Sequence, residues 1–223
     1  MNININTNAN MIYIHVCCIN NYKEVFNNLI YCIKDSGLYD SISEIRCCIL
    51  GDYDIELFKD EKIKIHKTSN HLSLYEVFTI NKIHEDCKNE DMNVLYLHTK
   101  GITRNNDMNV NGWIDYMIYF DIYNYKKCLE LLLDNDTVGV NLNEHPVFHY
   151  SGNFWWSKSS YIKKLNTCIY ESYNSPEFWL TCNKNGKYVG LWKSNVNHYN
   201  VCYQKENYEN KIIIPYNYDF SLL

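Results

Sequence analysis

Three short runs constrain what this chain can fold into: MIYIHVCCI (Met11–Ile19), SEIRCCILGD (Ser43–Asp52) and MNVLYLHTK (Met92–Lys100). Each is rich in β-branched, aromatic and other apolar residues, and each is far shorter than the ~20 residues a membrane helix needs. A strand that is apolar almost throughout is covered on both faces, the situation of a mostly parallel sheet flanked by helices. The intervening segments supply the helices. NYKEVFNNLIYCIKDSG places Val25, Phe26, Leu29, Ile30 and Ile33 on one helical face and stops at Gly37. LYEVFTINKIHEDCKN, after Ser73, is a second helical stretch, and KIKIHKT alternates with the period of a strand. The order strand, helix, strand, strand, helix, strand predicts a Rossmann-like α/β/α sandwich.

Beyond Gly101 the sequence predicts a polar loop (ITRNNDMNVNG), an amphipathic segment from Trp113 to Leu133 and a short strand in DTVGVNL. HYSGNFWWSKSSYIKKL then enters a helix, KYVGLW reads as an edge strand, and KIIIPYNY as a final extended piece. With 223 residues, no internal repeat and no proline-rich linker, a single domain over 1–223 is expected, with 183–223 as a C-terminal extension. The net charge of -5 excludes the overall positive field of a general nucleic-acid binder, so any anion site must be local. The ten cysteines contain no C-x-x-C, which argues against a zinc knuckle and for reduced, mostly buried thiols. MNININTNANM lacks the charged and apolar regions of a signal peptide, and no membrane span is present, so a cytoplasmic location is expected.

In parallel α/β sheets ligands gather outside the carboxyl ends of the strands, where loops and free backbone donors converge. The first strand ends near His15 to Asn20, and the fourth ends at His98, Thr99 and Lys100 before Gly101. Lysine offers a point charge to phosphate, and histidine and threonine offer short hydrogen bonds. His15, Asn20, His98, Thr99 and Lys100 are therefore candidates for a diphosphate site, against the plainer reading of a core histidine and a solvated turn lysine. In HYSGNFWW, Ser151, Gly152 and Asn153 combine small and amide-bearing residues with Trp155 and Trp156, a pattern suited to sugar contacts or to core anchoring. Glu177, in NSPEFWL, is the first candidate for a general base and Asp115 the second; a helix N-terminal role explains Glu177 equally well. Asp52-Tyr53-Asp54 spells Asp-x-Asp, one strand and one helix earlier than a metal site is expected, and reads either as such a site or, more plainly, as a solvated turn after a buried strand. No metal is assigned to it, nor to His66, His71 or His84.

YLHTKGI, Trp113 and Met117 in WIDYM, HYSGNFWWSKSSYIKKL and PEFWL, in this order, resemble a family of glycosyltransferase-like proteins of bacteria and large DNA viruses. LHTK is also similar to a segment of rhamnan-synthesis polysaccharide proteins. The resemblance covers roughly Met11 to Leu180. It implies a GT-A-like fold and a hexosyl- or deoxyhexosyl-transferase, with a nucleotide-sugar donor and a glycan acceptor. It further implies polysaccharide biosynthesis, host cytoplasm for a viral protein, and a donor-binding role for Glu76 in SLYEVF. Many GT-A enzymes hold a divalent manganese or magnesium on Asp-x-Asp at this strand end, where the present chain has His98-Thr99-Lys100. Lys100 alone and a divalent metal are the two alternatives for that positive charge, the missing Asp-x-Asp favouring Lys100. The alternative is a noncatalytic carbohydrate-binding or partner-binding α/β domain.

Overall fold

The computed structural model describes residues 8–104 and 107–217. The polar opening 1–7, positions 105–106 of the loop after Gly101, and 218–223 at the end of the last extended piece lie outside the described residues. The first half alternates as its periodicity requires: β1 (Ala9–Cys17), α1 (Tyr22–Asp35), the short α2 (Leu38–Ser41), β2 (Glu44–Leu50), β3 (Ile63–Ser69), α3 (Val77–Cys87) and β4 (Met92–His98). Then follow α4 (Met108–Ile118), α5 (Tyr125–Leu132), β5 (Thr137–Gly139), β6 (Leu142–Asn143), β7 (His149–Tyr150), β8 (Trp155–Lys158), α6 (Ser159–Ile162), α7 (Ser175–Trp179), β9 (Tyr188–Gly190) and β10 (Tyr216–Asn217).

Eight strands form one sheet in the order β10-β9-β5-β8-β4-β1-β2-β3, and β6 and β7 form a separate ribbon. The neighbours β4, β1, β2 and β3 run parallel, β9 is parallel to β5, and β8 and β10 are antiparallel to the strands they join. Strand parity sorts the side chains into two cores. Ile12, Ile14, Val16, Leu95 and Leu97 pack with α1, α4 and α5 on one face, while Met11, Tyr13, Val94 and Tyr96 pack with α3, α6 and α7 on the other. The result is an α/β sandwich with helices on both faces.

Three expectations change. KYVGLW is not an edge strand, because β10 pairs outside β9 and leaves β10 and β3 as the edges. The expected C-terminal extension therefore contributes two strands to the sheet. The segment Trp113–Leu133 is not one helix: α4 starts earlier, and a π turn at Tyr119–Tyr123 separates it from α5. The early start comes from Asp107, whose side chain caps the helix by accepting from Asn109 N and Val110 N. Gly112 fits inside that helix because the segment around Cys202 and Tyr203 lies against it, where a Cβ would meet Cys202 Sγ at 2.9 Å. All ten cysteines are free thiols. No helix among the described residues is long and apolar enough to cross a membrane.

Candidate functional site

The strand order reverses between β1 and β4. From β1 the chain builds outward through β2 to β3, then returns to place β4 on the other side of β1. At such a point the connections leave in opposite directions and open a crevice at the carboxyl ends. A cavity of about 340 Å³ lies there, with His15 and Cys17 of β1, His98 at the end of β4, and Thr99 and Lys100 just beyond it in its wall. That volume is within the range of small-molecule sites.

Its floor follows from register and parity. His15 and His98 are register partners on adjacent parallel strands, on the same face as Tyr13 and Tyr96. Thr99 continues the ladder, its N–H donating to His15 O (3.0 Å) and its hydroxyl accepting from Cys17 N (3.1 Å). Above them stands Glu76, just ahead of α3. The expected helix from Leu74 does not form there: a 3₁₀ turn (Leu72–Leu74) is followed by Tyr75 at φ 46°, and this break turns Glu76 inward. A bulky residue with positive φ is strained, and Tyr75 is held in place by stacking on Tyr170 (centroids 5.1 Å apart, 9° between planes).

Glu76 Oε2 accepts from Tyr96 Oη (2.8 Å) and Asn153 Nδ2 (2.7 Å), and Oε1 lies 3.8 Å from His98 Nδ1. A quarter of the Glu76 side chain, 25%, is open to the cavity. Burial pushes this carboxyl up, but His98, His15, the Tyr96 hydroxyl and Lys100 outweigh burial and hold it below the usual range. Burial pushes His15 down to about 4 despite the pull of Glu76. It also lowers His98, with Lys100 adding to the effect and Glu76 opposing it. His98 Nε2 lies 3.1 Å from Gly152 O, a contact that requires the proton on Nε2.

Lys100 places its ammonium 3.9 Å from the centroid of the Trp113 ring. Among the described residues it has no carboxylate within ion-pair distance. Burial lowers its pKa, and Glu177 and Glu76 oppose that shift. Glu177 sits in the first turn of α7 behind Pro176, and its Oε1 accepts from Gly152 N at 2.6 Å. Its helix-terminal position and its place in the cavity wall coexist. Gly152 has φ 98°, and a Cβ there would overlap the Met117 sulfur, so only glycine fits this turn. The neighbouring Asn153 (φ 60°) is fixed by donating to Glu76 and accepting from Trp155 Nε1 at 3.0 Å.

Of the residues singled out in the sequence, His15, Glu76, His98, Thr99, Lys100, Gly152, Asn153 and Glu177 line this cavity. Five do not. Trp155 and Trp156 are 1% and 0% exposed and point into opposite cores, as adjacent strand residues must; both are core anchors rather than sugar platforms. Asp115 is two residues from Trp113 on α4 and so ~200° around the helix. It faces Lys205 at 3.9 Å with 48% of its side chain exposed, and cannot serve as the base here. Asn20 (φ 48°) donates its amide N–H to Ile102 O (2.7 Å), which braces the turn after β4. Ser151 faces a second recess. Asp54 of the Asp-Tyr-Asp turn caps a 3₁₀ turn and pairs with Lys23 at 2.8 Å. Among the described residues no three His, Cys, Asp or Glu side chains are grouped as metal ligands.

The sequence reading missed the rim. Tyr75, Tyr173 and Tyr199 line the mouth together with Arg104, whose guanidinium lies 5.0 Å over the Tyr199 ring. Arg104, four residues beyond Lys100, was the one available signal, as a second cation in the same strand-end loop.

The family model described as Domain of unknown function (DUF8361) matches residues 49–206. The chain belongs to that family. No curated protein matches it.

Proposed function

We propose that this chain is a GT-A-like glycosyltransferase that moves a sugar from a nucleotide-diphosphate donor to a hydroxyl of a glycan acceptor. The observation that carries the reading is the cavity at the β1/β4 switch point, where Lys100 presents an ammonium unpaired with any carboxylate among the described residues. Arg104 adds a second positive charge at the rim. Together they suit a diphosphate leaving group, whose negative charge grows as the glycosidic bond breaks. A cation already fixed in a partly dry site costs little reorganisation at that moment.

The remaining groups take roles by chemistry. Glu76, ionised and partly open to the cavity, accepts hydrogen bonds from sugar hydroxyls and is kept in position by Tyr96 and Asn153. The tyrosine rim offers aromatic faces to a base or to the apolar side of a sugar ring. Glu177 has one oxygen on Gly152 N, and its other oxygen has no hydrogen-bond partner among the described residues. That second oxygen takes the proton from the acceptor hydroxyl.

A screen of UDP-, GDP- and dTDP-sugars for nucleotide release tests this reading. One nucleotide class should be released, at a rate that EDTA leaves unchanged. Affinity without release would make the chain a noncatalytic binding domain. Neither affinity nor release would end the proposal, and a rate raised by orders of magnitude with manganese would remove its metal-free part.

A further inference from the structure

Trp113 separates the cavity from a second recess of about 510 Å³, and both Trp113 and Tyr199 border the two. The walls of the second recess carry amides and hydroxyls, with Lys193 as their one cation and no carboxylate among the described residues. Its floor is tightly organised. Asn141 Oδ1 accepts from Ser194 N (2.9 Å) and Tyr116 Oη (3.1 Å). A backbone N–H can only donate, so this contact fixes the orientation of the amide. Asn141 Nδ2 therefore donates to His198 Nε2 (3.1 Å), and Ser194 Oγ lies 2.8 Å from the same nitrogen.

Burial pushes His198 down to about 4, with Lys100 adding to the shift, so the ring is neutral near pH 7. With Nε2 accepting, its proton is on Nδ1, and Nδ1 is buried without a partner. The indole N–H of Trp113 is also buried and unpartnered. The two rings lie face to face, with centroids 5.0 Å apart and 9° between their planes. Two N–H donors on stacked rings are thus left without acceptors beside an amide-lined recess. An unpaired buried donor is destabilising.

We propose that this recess binds a neutral, hydroxyl-rich ring, a sugar unit. Hydroxyls both donate and accept, as do the amides of Asn143 and Asn195. A phosphate would meet Lys193 as its one cation and would be drawn instead to Lys100 and Arg104, while a cationic ligand would find no counter-charge. Calling the sugar the acceptor substrate rests on the transferase reading; its binding does not. The shared Trp113 and Tyr199 wall places such a ring directly beside the first cavity.

Saturation-transfer NMR with the methyl glycosides of glucose, galactose, mannose and N-acetylglucosamine tests the proposal. The comparison is between wild type and the double variant Asn143→Ala with Asn195→Gly; neither side chain is hydrogen-bonded within the described residues, and glycine accepts the φ of 56° at 195. At least one glycoside should bind, and the double variant should weaken it about tenfold, the loss of roughly two hydrogen bonds, at unchanged melting temperature. Absence of binding by any of the four overturns the proposal. So does binding that survives the double variant but vanishes in Lys100→Ala, since the sugar then occupies the first cavity. If wild type binds no nucleotide but the sugar signal behaves as stated, the transferase reading fails and the sugar site stands.

Discussion

Two charged clusters share one face of the sheet, and they begin two residues apart on β1. Around Tyr13 the network closes on itself. Arg46 donates to Tyr13 Oη (2.7 Å) and makes a two-pronged pair with Glu90 (2.9 and 2.8 Å). Asp86 takes Tyr13 Oη (2.8 Å), His66 Nε2 (2.6 Å) and Lys82 Nζ (2.8 Å). Around His15 the cluster stays open. Lys100 has no carboxylate partner among the described residues, one oxygen of Glu177 is unused, and Glu76 is 25% exposed to a cavity. A buried charge is tolerated when it is paired, and leaving one open costs stability. The difference teaches where to look for function: the closed network serves the fold, and the open one has valences left for a ligand.

The largest way to sharpen this contrast is Glu177→Gln, which keeps the Gly152 N–H contact and removes basicity. A positioned base contributes ~10²- to 10⁴-fold, so turnover should fall by that much while the melting temperature stays put. Retained turnover would place the base elsewhere, and Asp115 is no substitute because it faces Lys205. Arg46→Ala makes the opposite cut. Breaking a buried pair costs about 3 kcal/mol or more, and the lower end applies because Glu90 is 43% exposed and Asp86 keeps Lys82 and His66. Chemical denaturation should show that loss with nucleotide affinity intact; a matching loss of affinity would erase the distinction between the clusters.

How much of this was legible follows from which residues are local in sequence. The floor could be read because HTK ends a buried strand, and parity with His15 follows from two aligned strands. Glu76 was visible only through a resemblance, since the break at Tyr75 that aims it is a tertiary effect. The rim was hidden because 21 tyrosines give no contrast, and because Tyr199 reaches the mouth from a segment almost a hundred residues past Lys100. The tryptophan pair misled for a simple reason: an aromatic beside Gly-Asn suits a sugar platform and a core anchor alike, and only the pairing of β8 between β4 and β5 decides.

Acid separates the clusters by a smaller margin. His15 is held down to about 4 in the fold against an ordinary value of 6.5. Between those values the unfolded chain takes up a proton that the native state refuses, so stability is full above 6.5 and falls as the pH drops toward 4. The contribution is about 3 kcal/mol. His198 adds a loss of the same sign over the same window. Glu76, whose carboxyl lies below its ordinary range, adds another at still lower pH. Thermal unfolding from pH 7 to 4 should show the decline, and His15→Gln should flatten it in part. An unchanged slope in that variant would mean His15 is not buried in its neutral form.

The central claim is that the open cluster binds a nucleotide diphosphate through Lys100. Isothermal titration of UDP, GDP and dTDP into wild type and Lys100→Ala tests it most directly. One nucleotide should bind wild type, and the variant should lose ~1.5 to 3 kcal/mol of affinity, the range for a hydrogen bond to a charged group. Its melting temperature should hold or rise, since a partly buried, unpaired charge is removed. Equal affinity in wild type and a folded Lys100→Ala, or no affinity for any of the three, would contradict the claim.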